Sequence, residues 1–518
     1  MPFSKSHRSR TRTRQGTRFL QGTASGDTGS AARRCVGSGR NRHSPNIKLL
    51  AQHPVKADLG RINASARMNP LTSPLLTDLY QLNMIQAYPD HGDTQTGVFE
   101  FFVRKLPAQR GFLIAAGLEQ VLDFLENLRF SAEEINWLAS TGRFDQRLLD
   151  QLANFRFSGD VHAIPEGRIF FANEPILRVT ASMPQAQLAE TRIINILHFQ
   201  TLIASKAARL VLAAPSKLLV DFGLRRAHGA EAGLMAARAS YIAGFAGTAT
   251  TLAEHDFGIP TFGTMAHSFI EAYDSECEAF ESFARARPKN LTLLLDTYDT
   301  EAAARRVTAL AARLASRQIK IRAVRLDSGD LLQLSKSVRR ILDQGGLSEV
   351  TIFASGGLDE YNVRELIAAG APIDGFGIGT SLTTSSDVPA LDCAYKLQEY
   401  AGIARRKRSP GKITWPGRKQ VWRRYRPGGC MAGDVLSLES DRQDGEPLLV
   451  PVMRNGRRLR PSPSLADIRA VAARDLERLP QPLRELTPET HYPVTVADAL
   501  VRLAAAVDER IAKSQTAS

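Results

Sequence analysis

Charged, imidazole and hydroxyl side chains follow short apolar runs at regular intervals in the middle of the chain. Arg225 and Arg226 follow the run that ends at Val220, and His267 follows the run that ends at Phe262. Helix capping explains polar residues after one such run, but their recurrence after six favours a polar ligand bound at one rim. The six polar segments are residues 221–226, 263–268, 296–298, 325–330, 355–357 and 377–381.

Arg325 and Asp327 form the pair best suited to an anionic ligand that carries ribose. Alternate residues of a strand share a face, so both side chains can point at one ligand. The guanidinium would bind a phosphate or carboxylate with two parallel hydrogen bonds, and the carboxylate would accept ribose hydroxyls or hold a metal-bound water. A structural ion pair, or capping of the next helix by residues 327–330, is the alternative.

His267 and a glycine pair point to phosphate chemistry. His267 follows a Gly-Thr turn beside Ser268. Its ring can be phosphorylated on nitrogen or can transfer protons, and a packed or surface histidine is the alternative. Gly377 and Gly379, followed by Thr380, can expose backbone N–H groups to a phosphate, although short glycine motifs also form ordinary turns.

The elements that would position these residues alternate at intervals of roughly 30 residues between about residues 185 and 395. Strands that alternate with helices predict a parallel sheet, and six or more such units favour a closed or nearly closed α/β barrel over a doubly wound open sheet. The predicted strands are residues 217–220, 258–262, 291–295, 321–324, 350–354 and 373–378, and the predicted helices include residues 300–316, 331–344 and 360–369.

Both flanks of this region have a different pattern. Leu75, Leu79, Leu82 and Ile85 recur at helical spacing, and residues 98–103 predict a strand. Beyond residue 396 the alternation is lost. The other predicted elements are helices at residues 113–127, 132–156, 464–478 and 496–513.

The fold class that follows is α/β, an irregular, TIM-like α/β barrel with an N-terminal α+β domain and a small C-terminal lobe. Residues 1–67 would be a disordered basic extension or the product of a wrong start site. Residues 68–165 would form the α+β domain, residues 166–400 the catalytic barrel and residues 401–518 the lobe.

Positive charge is concentrated at the start of the chain. Residues 1–67 hold 14 Lys or Arg against two acids, so most of the net charge of +14 lies there and the rest is close to neutral. Such a segment predicts disorder and has three interpretations: a polyanion-binding tail, a transit peptide, or a wrong start site with translation beginning at Met68. We prefer the third. The nearly neutral remainder argues against a specific nucleic-acid-binding function.

Cysteine usage and hydropathy favour the cytoplasm. Cys35, Cys277, Cys393 and Cys430 are far apart in sequence, which argues against a zinc site or a disulfide framework and suits a reducing compartment. No apolar run reaches the roughly 18 residues that span a bilayer, and the basic start lacks the apolar segment of a secretory signal. We expect a cytoplasmic protein with no membrane association.

Six motifs, taken in order, resemble nicotinate phosphoribosyltransferases, the enzymes that join nicotinic acid to a phosphoribosyl group in NAD salvage. The likeness runs from about residue 74 to residue 402 and is weaker beyond. Each motif is moderately specific, and their common order is very specific. The motifs are PLLTDLYQ (74–81), GLRRA (223–227), GTMAHSF (263–269), LDTY (295–298), VRLDSGD (324–330) and GIGTS (377–381).

The resemblance implies a reaction and an assembly. Nicotinate and 5-phosphoribosyl 1-diphosphate would give nicotinate mononucleotide and pyrophosphate with Mg²⁺, coupled to ATP hydrolysis as in an ATP-dependent ligase. The enzyme would be a homodimer.

The resemblance also assigns roles to residues, but no metal ligands. His267 would be phosphorylated, and Tyr80 of the neighbouring subunit would pack on the pyridine ring. The other nicotinate-side residues would be Phe222, Arg225, Thr264 and Ser268. The residues that hold the phosphoribosyl donor would be Arg325, Asp327, Gly356, Gly379 and Thr380.

Two positions bear on substrate choice. Nicotinamide-specific relatives place an acid where this chain has Ala249, and without an acceptor for the amide N–H a carboxylate substrate is favoured. Gly357 stands where family members often have Asp or Asn, so a ribose or phosphate contact is either lost there or supplied by backbone N–H. A phosphoribosyltransferase for nicotinamide or quinolinate, and a non-catalytic barrel, are the alternatives.

Overall fold

The structure is a computed structural model that describes residues 70–88 and 95–516, so the predictions for residues 1–67 lie outside it. The strands are β1 (Thr96–Val103), β2 (Leu113–Ile114), β3 (Asp160–Ala163), β4 (Ile169–Phe170), β5 (Pro175–Ser182), β6 (Leu218–Asp221), β7 (Gly247–Thr248), β8 (Leu291–Leu294), β9 (Ile321–Leu326), β10 (Thr351–Ser355), β11 (Gly375–Ile378), β12 (Cys393–Tyr400), β13 (Ile403–Ala404), β14 (Lys419–Tyr425), β15 (Met431–Leu438), β16 (Glu446–Pro447), β17 (Val450–Arg454), β18 (Arg457–Arg458) and β19 (Val494–Val496).

The helices are α1 (Leu79–Ala87), α2 (Leu118–Glu126), α3 (Ala132–Ser140), α4 (Gln146–Ala153), α5 (Met183–Leu188), α6 (Glu190–Ala213), α7 (Ala230–Ala243), α8 (Thr251–Phe257), α9 (His267–Glu271), α10 (Glu276–Ala286), α11 (Thr300–Ala315), α12 (Leu331–Gln344), α13 (Glu360–Ala368), α14 (Thr380–Thr383), α15 (Leu465–Arg478) and α16 (Asp498–Thr516).

A six-stranded parallel sheet carries the polar strand ends. Its order is β7-β6-β11-β10-β9-β8, and α11, α12 and α13 connect β8 to β9, β9 to β10 and β10 to β11. The sheet curls into a half-barrel whose edges are β7 and β8, which confirms the predicted α/β fold class with its N-terminal domain and C-terminal lobe. Because the carboxyl ends of parallel strands lie at the same edge of the sheet, the six polar segments come together at that edge.

One predicted strand of this sheet is wrong. Residues 258–262 form only an isolated bridge between Thr248 and Thr261, and the short strand β7 takes the place beside β6. Gly258 lies in the left-handed region and ends α8, and Pro260 has no N–H to donate to a ladder. These two residues therefore cannot take part in β-sheet pairing, although the rest of the segment is apolar, as expected of a strand.

Two predicted helices are interrupted. Residues 113–127 begin as the strand β2, and the helix α2 starts only at Leu118. Gly117, with φ of 102°, separates the two elements because its backbone is not helical. Residues 132–156 divide into α3 and α4 near Gly142, whose φ is +63°, and the Asp145 carboxylate caps α4 by accepting from Leu148 N–H. Helix α1 begins only at Leu79 and leaves Leu75 of the predicted helical spacing outside it, whereas the predicted helices at residues 300–316, 331–344, 360–369, 464–478 and 496–513 are confirmed to within three residues at each end.

An antiparallel sheet joins distant parts of the chain. Its order is β13-β12-β1-β5-β3-β17-β18, with β1 between β5 and β12. Seven of the eight residues of β1 are buried, so the strand is apolar on both faces, with Glu100 paired to Lys419. β5 and β12 lie in the range predicted for the barrel, so the sheets do not follow the predicted ranges 68–165, 166–400 and 401–518.

Helix α6 supplies buried side chains to both large hydrophobic cores. It packs on α2, α7, α13 and β12. In the described chain, α5 and α6 form the one helical stretch long and apolar enough to cross a membrane, but 78% of its most apolar window is buried inside the structure. Packing within the protein accounts for its apolar surface.

A buried ionic cluster fastens the C-terminal lobe to the N-terminal strands. The Arg423 side chain pairs with Asp434 at 2.6 Å and donates to Ile169 O at 2.8 Å. Glu174 is fully buried beside this pair and accepts from Phe171 N–H at 2.7 Å. Burial, together with the Asp434 carboxylate, raises the pKa of Glu174 well above its ordinary value of 4.5.

Glu174→Gln should make unfolding less sensitive to pH. Between pH 4.5 and its raised folded pKa, Glu174 keeps its proton in the folded chain and loses it in the unfolded chain. The parent therefore loses stability as pH rises from that value towards the raised folded pKa, by at most about 1.4 kcal/mol per pH unit. Urea unfolding from pH 5 to pH 8 should show the variant gaining stability relative to the parent. Parallel pH profiles for the two proteins would contradict this assignment.

Candidate active site

A cavity of about 420 Å³ opens at the carboxyl ends of β6, β9, β10 and β11. Its wall combines guanidinium, carboxylate and hydroxyl groups with exposed glycine backbone, a donor set suited to a phosphorylated sugar. The lining residues are Phe222, Arg225, Arg226, Arg325, Asp327, Ser355, Gly356, Gly357, Leu358, Asp359, Gly377, Gly379, Thr380, Ser381 and Ser386.

Arg325 contacts three other residues of the wall, Ser355, Asp327 and Phe222, and also Thr264 at the border of the cavity. Its Nε donates to Ser355 Oγ at 2.9 Å, and its two terminal nitrogens donate to Thr264 Oγ1 at 3.1 Å and Asp327 Oδ1 at 2.8 Å. Its guanidinium carbon lies 5.6 Å from the centre of the Phe222 ring. The guanidinium is thus fixed in one orientation, with its charge at the cavity wall.

Asp327 is ionised by its neighbours. Burial alone would raise the pKa of its carboxyl, but hydrogen bonds from Ser355 and Arg325 outweigh burial and hold the pKa below its ordinary value. Its backbone N–H donates to Asp296 Oδ2 at 3.0 Å. The cavity therefore contains a carboxylate of fixed position, able to accept hydroxyl groups or to contact a cation.

His267 begins α9 at the border of the cavity and does not line it. Its Nδ1 lies 3.1 Å from Thr297 Oγ1, and its Nε2 lies 3.8 Å from Asp327 Oδ2. The side chain is 39% exposed. Nε2 is therefore the ring nitrogen directed towards the carboxylate of the cavity, on a side chain that is partly open to solvent.

A buried carboxylate fixes the loop that carries Phe222. Asp221 accepts from Gly223 N–H at 2.8 Å and from Thr248 Oγ1 at 2.7 Å, and burial raises its pKa to about 6. A Cβ on Gly223 would lie 2.2 Å from Thr383 Oγ1, so only glycine fits there. The two strand ends and the Thr383 segment thereby hold the Phe222 ring in place.

Two neighbouring glycines differ in what they tolerate. Gly356 and Gly357 both have positive φ, at +97° and +65°. A Cβ on Gly356 would lie 1.9 Å from Asp327 O, whereas a Cβ on Gly357 would meet no atom within 4 Å. The close approach of Asp327 O thus requires glycine at position 356. The open space at position 357 would accept the Asn or Asp expected from the family, because both residue types tolerate this backbone region.

The arginine pair follows β6 in a short 3-10 turn, Leu224–Arg226. Arg225 and Arg226 are exposed and line the cavity. In the described part of the chain neither has a carboxylate partner in an ion pair. Both charges are available to an anionic ligand.

Most of the predicted site residues meet here. Phe222, Arg225, Arg325, Asp327, Gly356, Gly379 and Thr380 line the cavity. Thr264 and His267 border it through their contacts with Arg325 and Asp327. Ser268 and Tyr80 do not line it, and Tyr80 is 48% exposed on α1.

Some residues of the site received no predicted role. Asp296, Thr297 and Ser355 stood in the polar strand-end segments. Only their contacts reveal that they support Asp327, His267 and Arg325 respectively. Asp221 was visible at the end of a strand, but its burial was not. Ser386 lies beyond the last motif, and no local pattern marks it.

Comparison with known proteins identifies the family. Sequence models described as the nicotinate phosphoribosyltransferase N-terminal domain, family and C-terminal domain match residues 75–198, 218–404 and 441–504. A nicotinate phosphoribosyltransferase of Mycobacterium tuberculosis is 50% identical over 82% of this chain and 92% of its own length. The Bacillus subtilis enzyme is 38% identical over 67% and 72% of the two chains.

A solved structure agrees with these matches. The crystal structure of human nicotinic acid phosphoribosyltransferase superposes with a TM-score of 0.74 at 28% identity, covering 84% of this chain and all of the human one. The sequence matches and the structural match thus cover the half-barrel and both flanking regions of this chain. The chain belongs to the nicotinate phosphoribosyltransferase family.

Proposed function

We propose that this protein transfers the phosphoribosyl group of 5-phosphoribosyl 1-diphosphate to nicotinate, forming nicotinate mononucleotide and pyrophosphate for NAD synthesis. The observation that carries the proposal is the cavity in which Arg325 is fixed between Thr264, Ser355 and Asp327. Family membership supplies the reaction, and the donor set of the cavity suits its anionic substrates.

The side chains suggest a division of the site. Arg225 and Arg226 are exposed and without carboxylate partners in the described residues, so they would bind the nicotinate carboxylate or a phosphate. Arg325 would hold the donor, and Asp327 would accept ribose hydroxyls. The pyridine nitrogen is itself the nucleophile and needs no general base. Catalysis would therefore depend on positioning and on charge stabilisation as the diphosphate leaves.

A magnesium ion would bind beside Asp327. Asp296 Oδ2 accepts from the Asp327 N–H, while Asp296 Oδ1 is buried and has no hydrogen-bond partner. Hard cations prefer carboxylate oxygens, and Mg²⁺ is usually held by one or two carboxylates together with substrate phosphates. Asp296 and Asp327 would hold the ion. When bound, Mg²⁺ neutralises charge on the leaving diphosphate.

His267 would couple ATP hydrolysis to the transfer. Its side chain is partly exposed, its Nε2 lies 3.8 Å from Asp327, and Thr297 orients the ring through Nδ1. Nε2 would attack the γ-phosphorus of ATP as its bond to the β-phosphate oxygen breaks, forming a phosphohistidine and ADP, and water would later cleave the N–P bond to release phosphate. The phosphoryl group would add negative charge next to Asp327, where the magnesium ion would bind.

A carboxylate substrate is favoured over the amide. Ala249 follows β7, is exposed, and donates its N–H to Asp221 O at 2.7 Å beside the Phe222 loop. No carboxylate stands at that position to accept an amide N–H, while Arg225 and Arg226 line the cavity. Nicotinamide is the second candidate substrate.

The cytoplasm is the compartment we propose. The three described cysteines, Cys277, Cys393 and Cys430, are free thiols. Free thiols persist where glutathione and thioredoxin keep them reduced.

The proposed activity is tested with purified protein, Mg²⁺ and phosphoribosyl diphosphate, supplied with nicotinate or nicotinamide and with or without ATP. We expect nicotinate mononucleotide, formed faster with ATP. His267→Ala should remove the acceleration by ATP while leaving the ATP-independent rate within about tenfold of the parent. His255→Ala is the matched control, because His255 is 84% exposed and lies outside the cavity.

Three outcomes would contradict parts of this assignment. Product from nicotinamide and none from nicotinate would reassign the substrate. Equal acceleration by ATP in the parent and His267→Ala would exclude the phosphohistidine. No product from either substrate would indicate a non-catalytic barrel.

A homodimer would bring Tyr80 to a site. Tyr80 and its neighbours Leu76 and Leu79 are each between 43% and 49% exposed. On the opposite side of α1, Gln81 is fully buried and donates to Glu190 at 3.1 Å, which fixes the outward direction of the others. This apolar patch would be covered by the partner subunit, with Tyr80 reaching its cavity.

Mixing two inactive variants tests this arrangement. Tyr80→Ala and Arg325→Gln each damage both sites of a dimer if Tyr80 acts across the interface. In a heterodimer one site has both defects and the other has neither, so an equal mixture should regain about a quarter of parental activity. Nicotinate mononucleotide formation after unfolding and refolding the mixture measures this. No recovery beyond the mean of the two variants would contradict a shared site.

A further inference from the structure

A cluster of buried charges lies behind one wall of the cavity. Lys206 on α6 is 1% exposed, and its ammonium lies 2.5 Å from Glu360 Oε2 and 2.8 Å from Asp387 Oδ1. Arg209, one helical turn later, donates to Glu360 Oε1 at 2.8 Å. Arg110 pairs with the other side of Asp387 at 2.7 Å. Lys206 is thus the group that joins the two carboxylates.

Each carboxylate is adjacent in sequence to a residue of the cavity wall. Glu360 follows Asp359, and Asp387 follows Ser386, both of which line the cavity. Asp359 also caps α13 by accepting from the N–H groups of residues 361 and 362. Lys206 therefore joins the start of α13, directly after the loop of residues 355–359, to the loop of residues 383–387, from behind the cavity wall.

The second loop needs such a constraint because its backbone is strained. Ser385 has φ of +43°, a region that serine rarely adopts, and it is fully buried. Its hydroxyl is buried without a hydrogen-bond partner. Strained residues of this kind persist when the surrounding structure over-determines them, and the ion pairs of Asp387 supply part of that constraint.

We propose that Lys206 is a positioning residue for the phosphoribosyl donor: by clamping Glu360 and Asp387 it sets the spacing between the two loops that enclose the donor. The proposal rests on the proposed function and extends it to a residue that touches no ligand. Lys206 would act mainly on donor affinity, because Asp221 holds the Phe222 and Arg225 segment through Gly223 N–H and Thr248 Oγ1, and, of the described residues in the second loop, only Thr383 packs on that segment.

Removal of Lys206 leaves the rest of the cluster balanced. Three cations face two carboxylates, so after Lys206→Met each carboxylate keeps one arginine. Burial alone would raise the pKa of Asp387, but Arg110 and Lys206 hold it far below its ordinary range. Arg110 alone can keep Asp387 ionised, and we expect the variant to fold with the link between the loops cut.

The test compares Lys206→Met with Lys419→Met. Lys419 is equally buried and pairs with Glu100 at 2.7 Å, but it touches no residue of the cavity wall. Asp387→Asn is a second variant that releases only residues 383–387. Steady-state kinetics give the KM of each substrate, and hydrogen exchange followed by mass spectrometry reports the two loops. Thermal midpoints measure the general loss of stability.

For Lys206→Met we expect a KM for phosphoribosyl diphosphate raised about tenfold, with kcat and the KM for nicotinate within about threefold of the parent. Amide exchange should accelerate in both loops, and Asp387→Asn should accelerate it in residues 383–387 alone. Lys419→Met should lower the thermal midpoint and leave the donor KM and both loops unchanged.

Two results would overturn the proposal. One is a lowered thermal midpoint for Lys206→Met with unchanged donor KM, as in the control. The other is unchanged exchange in both loops. A parent that forms no nicotinate mononucleotide would refute the proposed function instead, and the exchange comparison would still decide whether Lys206 positions the loops.

Discussion

The site depends on the fixed position of the Arg325 guanidinium. Arg325 lies on β9, inside the parallel sheet, where it pairs in register with Leu294 of β8 and Phe353 of β10. Its side chain is 11% exposed and is bonded to Ser355 and Asp327. A planar fork bound at three nitrogens cannot rotate, so the register of the sheet determines where the positive charge meets a ligand.

Hydrogen bonds and ion pairs also fix the other groups around the cavity. Carboxylates hold the loops whose residues line the cavity. Asp221 holds the Phe222 loop, and Asp296 accepts from the backbone of Asp327. Glu360 and Asp387 stand behind two further loops. Loops are otherwise the mobile part of a fold, and charge-assisted bonds to rigid strands and helices give them one geometry. Catalysis by positioning requires this rigidity.

Much of this arrangement could be predicted from sequence, because the signals were local. The parallel strands are short apolar runs at regular spacing, and the chemistry follows each run directly, so residues such as Arg325 and His267 were found by position alone. The pairing of β1 with β5 and β12 was not predictable, since partners separated by many residues leave no local pattern. Ser386 and the buried lysine behind it were missed for the same reason.

Equilibrium binding of phosphoribosyl diphosphate to Arg325→Gln, measured by calorimetry with Mg²⁺ present, tests the role of this guanidinium most directly. Arg322→Gln is the matched control, because Arg322 lies on the same strand and is exposed away from the cavity. We expect Arg325→Gln to weaken donor binding by about 10- to 100-fold and Arg322→Gln to leave it unchanged. Equal affinity of the parent and Arg325→Gln would show that the donor binds elsewhere.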